Sequence, residues 1–425
     1  MNFLGILASW GISQNIFYKN FLYYNLCMTM KGAYTCIFGG GAVRGIAYVG
    51  AIKALKQLNF NVKTLVGSSV GSIIASLLAV GYSEDEINDI LMDVNFELFR
   101  DIHFGLNKDF ALSKGNVFTE WIRDAIEKKV YGLDYKKGCN KPVTFADIKR
   151  NLIILTTDLN NFKSEEFSTF ETPDFEIATA VRISCSMPGL MTPVEIDGKR
   201  LVDGDVLKGI PLWKLSKNID VPDNRVLEFR LEGDTVQKTG NTFEFLNSIY
   251  SCMTSASTDF IMDVFGENDK YDYVKITTGN IIVIDFNMSK ETRESIVNMG
   301  YNDSIKYLTE DCVSKKMQIA NIYLKMIDYI EDIIKALKYA SVKDTLEVLK
   351  ELFMYMSDYY KYIDANIFEC LWTLKNDILT SPKRRFLFGS EKFINKESLI
   401  DRSDIINKVI KEKHDELIDY IENVG

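Results

Sequence analysis

From Tyr34 onward, short apolar runs alternate with stretches in which apolar residues return every three or four positions. Tyr34 to Phe38 is a compact apolar run followed by glycine, which predicts a buried strand. Ile46, Val49, Ile52 and Leu55 recur at helical spacing and predict a helix from Ile46 to Leu58. "VKTLVG" reads as the next strand, and "SVGSIIASLLAVG" as a helix whose C-terminus is capped by Gly81. "SEDE", Ser83 to Glu86, has the spacing of a capping box ahead of another helix. Arg150 to Leu159, rich in β-branched residues, predicts a strand, as do "RVLEFRL" near 225–231 and "NIIVIDF" near 280–286. Strands interleaved with helices imply an α/β fold with a largely parallel central sheet flanked by helices.

The pattern changes after about Thr309. Ile319, Ile322, Met326, Ile330, Ile333 and Leu337 advance in steps of three and four, and so do Leu346, Leu349, Phe353, Met356 and Tyr360. This predicts an α-helical C-terminal region packed as a bundle. "SPKRRF", Ser381 to Phe386, reads as a loop with a solvated basic corner. At the other end, residues 1–31 are apolar and aromatic, with no Lys or Arg before Lys19 and no run of membrane-spanning length. The segment reads either as a helix docking on the protein or a membrane, or as an extended start with Met28 or Met30 as initiator.

Composition narrows the function classes. A chain of 425 residues with 47% hydrophobic and 26% charged residues has material for two or three domains with real cores. A net charge of -9 argues against nucleic acid as a partner, because phosphate binding needs clustered cations. The seven cysteines are scattered and form no Cys-x-x-Cys pair, so reduced thiols in a cytosolic setting are expected, with no metal site and no cofactor.

One motif carries chemistry. Gly67-Ser68-Ser69-Val70-Gly71 fits Gly-x-Ser-x-Gly where a predicted strand meets a predicted helix. Such a turn needs small flanking residues at Gly67 and Gly71, and it lifts the middle serine, Ser69, above the sheet edge at a helix N-terminus. A serine nucleophile needs a base. The chain has two histidines, His103 in "DIHFG" and His414 in the charged run "KEKHDEL", and neither has the neighbourhood of a catalytic loop. A carboxylate can take the proton directly. Asp203-Gly204-Asp205, after the short strand "KRLVD", offers Asp203, with Asp205 as competitor.

Gly39, Gly40, Gly41 and Gly45, with Arg44 enclosed, follow the first strand and precede a helix, so their N–H groups can converge on one spot. The spacing does not match either common nucleotide-phosphate fingerprint. An oxyanion formed at a carbonyl carbon fits better. Loss of one such donor costs about 10²- to 10³-fold in rate, which justifies the entropy cost of consecutive glycines.

A glycine-rich loop, Gly-x-Ser-x-Gly and Asp-Gly, in that order, resemble the patatin-like phospholipase family. The flanks "GGGAVRGIAYVGAIKAL", "GSSVGSIIASLLAVG" and Ala178 to Pro211 are similar to the corresponding family segments, and the resemblance covers roughly residues 32–300. It implies a patatin-like three-layer fold over residues 32–309, between an N-terminal segment 1–31 and a helical region 310–425. It further implies a serine lipid acyl hydrolase with Ser69 as nucleophile and Asp203 as base. Gly40, Gly41 and the amide of Ala42 would form the oxyanion hole, with Arg44 as the loop's cation. Ala42 stands where the family usually has glycine, and its N–H is expected to serve if its φ is ordinary. Asp205 replaces a small residue and is expected to raise the pKa of Asp203 if the two lie close. The expected partners are a phospholipid or other acyl ester, a transient membrane surface, and a second copy through the helical region, with no nucleic acid. The expected location is cytoplasmic and peripheral to a membrane. Apolar contacts are expected from the N-terminus or from Met187, Leu190 and Met191, with core packing as the competing role of that trio. A transacylase, a noncatalytic lipid-binding protein and a histidine-dependent esterase are the rival functions.

Overall fold

The computed structural model describes residues 33–100, 111–207, 224–233, 271–279, 287–380 and 396–424, with single positions 248, 252 and 281. His103, residues 1–31, Ser381 to Phe386 and nearly all of the strand expected at 280–286 lie outside the described residues. The chain divides into two compact units, one holding the described residues up to Leu308, the other those from Thr309 onward.

The first unit begins with β1 (Ala33–Phe38), a tight turn of helix at Ala42–Ile46 and α1 (Ala47–Gln57). Then come β2 (Val62–Ser68), α2 (Val70–Ala79), α3 (Glu84–Asp93), β3 (Ala111–Ser113) and α4 (Asn116–Tyr131). The series continues with β4 (Asn151–Asp158), β5 (Lys163–Ser168), α5 (Ile177–Ser184), β6 (Gly189–Met191), β7 (Val194–Ile196) and β8 (Lys199–Asp203). β9 (Asn224–Glu232), β10 (Tyr271–Thr277) and α6 (Lys290–Lys306) complete it. The sheet order is β10-β9-β1-β2-β4-β8-β7, with β5 also on β4. β10, β9, β1, β2 and β4 are mutually parallel, and β5, β7 and β8 add antiparallel pairs.

Local chemistry sets the helix ends. Ser83 accepts from the Glu86 N–H while its own N–H donates to the Glu86 side chain, so the capping box is formed. After α2, Gly81 adopts φ +103°, its N–H reaches Leu78 O, and the N–H of Tyr82 reaches Leu77 O. That is the double-bonded glycine cap of a helix C-terminus. β10 was not evident from its pattern. It is an edge strand of the described sheet, and its exposed Lys275 and Thr277 alternate with buried Val274 and Ile276 among neighbouring charges.

Helices flank the sheet. α2 packs on β1, β2 and β4, and α5 on β4 and β8. α1 and α6 cross closely, because a β-carbon at Gly50 or Gly300 would overlap the partner's backbone.

In the second unit, α7 (Cys312–Tyr339), α8 (Val342–Asp358), α9 (Ala365–Thr380) and α10 (Lys396–Val424) pack in a ring: α7 on α8 and α10, α9 on α8 and α10. Ile319, Ile322, Met326, Ile330, Ile333 and Leu337 are all buried in its core with Leu349 and Met356. Tyr360 is not, since α8 stops at Asp358 and Tyr360 is exposed in the following turn. No described helix is long and apolar enough to cross a membrane.

Candidate active site

Two strand ends meet along the middle of β4. β2 pairs with β4 in parallel, with Ser68 opposite Leu155. β8 pairs with the next residues of β4 in antiparallel sense, with Asp203 opposite Thr156. Leu155 and Thr156 both face β5 on their other side, so β2 and β8 share a single edge of β4. Their C-terminal ends therefore abut tip to tip. Gly204 fits the junction because a β-carbon there would overlap Leu155 O and crowd Ser68 Oγ at 2.6 Å.

This juxtaposition brings Ser69 and Asp203 together across 134 residues of chain: Ser69 Oγ donates to Asp203 Oδ2 at 2.7 Å. Ser69 sits at the N-cap of α2 with φ +50° and ψ −129°, a conformation L-residues seldom adopt. Such strain persists only where neighbours over-determine it. The neighbours are visible. Ser69 N–H donates to Ser184 Oγ at 3.0 Å, and Ser184 Oγ donates to Leu155 O at 2.6 Å. Ser69 O accepts from the N–H and the hydroxyl of Ser72 at 2.8 and 2.6 Å. Gly67 and Gly71 pack too tightly for any side chain, against Ser72 and against the carbonyls of Phe38 and Gly39.

Asp203 is buried. Its N–H donates to Ser186 O at 3.0 Å and its Oδ1 accepts from Asp205 N–H at 2.9 Å. Asp205, the competing aspartate, does not receive the Ser69 bond. Buried Arg182 braces the segment leading to Asp203, pairing with Ser186 Oγ and donating to Lys114 O at 2.7 Å and Thr192 O at 3.0 Å. Ser72, Ser184 and Arg182 escaped the sequence reading. Arg182 and Ser184 lie in the small-residue run "RISCS" at the end of α5, and Ser72 lies in the first turn of α2; neither stretch has a distinctive spacing of its own.

The glycine loop lies against this pair. A β-carbon at Gly40 would stand 3.1 Å from Ser69 Cβ, and one at Gly45 would overlap Val70. Gly39 N–H donates to Phe229 O at 3.2 Å, whereas the N–H groups of Gly40, Gly41 and Ala42 have no hydrogen-bond partner among the described residues. Ala42 departs from expectation: its φ is +48°, in the left-handed region, and not ordinary. Arg44 is half-buried with no ion partner among the described residues. Its Nε donates weakly to Gly41 O at 3.5 Å, and its guanidinium lies against Gly233. Burial lowers its pKa.

Met187 and Met191 are buried and Leu190 is half-buried, so the two methionines fill core space and do not present an apolar surface. The six described cysteines are all free. His414 lies on α10 with Nδ1 3.2 Å from Asp415 Oδ1. No cluster of metal-binding side chains occurs among the described residues.

The chain is similar to a known family and to several known proteins. Residues 36–215 match the family of patatin-like phospholipases. The chain is 31% identical over 272 residues to the uncharacterized protein R571 of Acanthamoeba polyphaga mimivirus, covering 61% of this chain and 89% of R571. It is 26% identical over 189 residues to a probable lipid hydrolase, 463L, of Invertebrate iridescent virus 6, covering 44% of this chain and 65% of that one. A solved structure, VipD from Legionella pneumophila, is similar over 92% of this chain and 90% of that chain, at 16% identity and a TM-score of 0.48.

Proposed function

Because this chain belongs to the patatin-like phospholipase family and is a hydrolase, we propose that it cleaves fatty-acyl esters of phospholipids, as a phospholipase A or lysophospholipase, through an acyl-serine intermediate. The observation that carries the reading is the 2.7 Å hydrogen bond from Ser69 Oγ to the buried Asp203 carboxylate, beside main-chain N–H groups of the glycine loop that have no partner among the described residues.

The steps follow from that geometry. Asp203 accepts the Ser69 proton as Oγ attacks the ester carbonyl carbon. The carbonyl oxygen becomes an oxyanion, held by the N–H groups of Gly40 and Gly41 and favoured by the N-terminus of α2. Collapse breaks the ester C–O bond, and Asp203 returns the proton to the departing alcohol. Water then gives a proton to Asp203 and adds to the acyl-serine; the fatty acid leaves, and Ser69 regains its proton. The strained φ of Ser69 holds Oγ against Asp203 at the N-terminus of α2 without a conformational search. Arg44, half-buried beside the loop and without a carboxylate partner among the described residues, offers its charge to the substrate's phosphate. The bilayer is met transiently, at the periphery.

The test is mass spectrometry of mixed phospholipids incubated with the full chain and with Ser69→Ala. Lyso products and free fatty acid should appear with the wild type alone. Acyl transfer to an added alcohol with little free acid would identify a transacylase. Undiminished hydrolysis by Ser69→Ala would remove the proposal.

A further inference from the structure

The hydrolytic steps above leave unused a buried charge cluster beneath the glycine loop. Arg230 of β9 and Glu228 two residues earlier lie on one face of the sheet and are almost wholly buried. Arg230 Nε pairs with Glu228 Oε1, and Tyr271 OH donates to Glu228 Oε2 at 2.7 Å. The loop rests on this cluster residue by residue. A β-carbon at Gly39 would stand 2.8 Å from Arg230 Cδ and Nη1, and one at Gly40 would overlap the Asp205 carboxylate. Tyr48 OH ties the same point down, donating to Gly39 O at 2.8 Å and to Phe229 O at 3.2 Å.

Two atoms in the cluster have no local explanation. Arg230 Nη1 and Asp205 Oδ1 are both buried and without a hydrogen-bond partner among the described residues. An uncompensated buried charge is costly, and opposite charges interact strongly where water is excluded. Burial by itself would lower the Arg230 pKa, but the carboxylates of Glu228 and then Asp205 outweigh it and hold the guanidinium charged. Arg230 thus bonds Glu228 directly and lies beside Gly39, while the Asp205 carboxylate lies beside the next residue, Gly40.

We propose that Asp205 and Arg230 are positioning residues whose buried attraction clamps Gly39 and Gly40 against Ser69, with Arg230 offsetting a carboxylate that would otherwise repel the oxyanion. Asp205 also ties the clamp to the base, through its N–H on Asp203 Oδ1. This explains how the chain accommodates a second acid two positions from Asp203. The inference rests on the Ser69–Asp203 reading.

The experiment uses the full chain and the variants Asp205→Asn, Arg230→Met, Arg230→Lys and the double Asp205→Asn/Arg230→Met. Active sites are titrated with a fluorophosphonate, and kcat and KM are measured on a soluble p-nitrophenyl ester. Melting temperature is followed in parallel, with Ser69→Ala as control. Asp205→Asn and Arg230→Met should each lower kcat per titrated site by about 10- to 100-fold, the effect of misplacing a catalytic group by up to an ångström. KM should stay within about twofold, since ground-state binding is not what the clamp serves. Arg230→Lys should recover part of the loss, and the double variant should lose no more than the worse single one, as for one shared interaction. An unchanged kcat per titrated site, with only the titratable fraction or the melting temperature reduced, would show a packing role and overturn the proposal. So would fully additive losses. Turnover or labelling persisting in Ser69→Ala would instead remove the underlying dyad reading.

Discussion

A single methyl group at residue 40 tests the oxyanion assignment most directly. In Gly40→Ala the new β-carbon would overlap Asp205 Oδ2, stand 2.7 Å from Asp205 Cγ and 3.1 Å from Ser69 Cβ. Against an ordinary contact of 3.4 Å, the carboxyl carbon alone is about 0.7 Å too close. Asp205 has little freedom to yield, being buried with its N–H on Asp203. Ser69 is fixed through Ser184 and Ser72. The loop must therefore withdraw, carrying the Gly40 and Gly41 amides away from the carbonyl they are to receive. Loss of one oxyanion donor costs about 10²- to 10³-fold in kcat, or about 2.7–4 kcal/mol. The assay is kcat/KM on a p-nitrophenyl ester, with fluorophosphonate labelling rate and melting temperature alongside. Gly198→Ala serves as control: it adds a methyl at a positive-φ site, at +76°, where the β-carbon meets nothing within 4 Å. The control should lose about 1 kcal/mol of stability and no activity. If Gly40→Ala kept its activity within about threefold with an unshifted melting temperature, the loop would not be the oxyanion hole.

Further outcomes follow from the same geometry. Ala42→Gly should relieve the left-handed φ of +48°, raising the melting temperature by about 1–3 °C with activity retained, a shift read by calorimetry. Ser184→Ala removes the acceptor for the Ser69 N–H and the donor to Leu155 O; it should cost about 1–3 kcal/mol of stability in denaturant unfolding and lower kcat more than it raises KM. Replacing His103 and His414 together should leave turnover within about twofold in the ester assay; a loss like that of Ser69→Ala would restore a histidine-dependent mechanism. Ile330→Ala, in the fully buried core of the helical unit, should cost about 2–4 kcal/mol by thermal or chemical unfolding.

Periodicity and short motifs made much of this protein legible. The apolar run of β1, the three-to-four spacing of α1 and α7, and the Ser83 capping box are local, because the hydrogen bonds and rotamers that decide them lie within a few residues. So is the strained turn at Ser69, whose flanking glycines Gly67 and Gly71 announce it. The limits are equally physical. β10 was hidden because an edge strand alternates exposed and buried residues among charges, and α8 ended two residues before its apolar stripe did. The chain alone left Asp203 and Asp205 as rivals for one proton. Which carboxylate reaches Ser69 depends on β2 and β8 running from opposite directions onto one edge of β4, a pairing between segments 134 residues apart. Arg230 belongs to the same class: nothing near it in sequence says that it will underlie Gly39. Local sequence determined the elements and the turn at Ser69; long-range strand register decided which charges those elements would share, since only packing brings distant side chains into a common, water-excluded space.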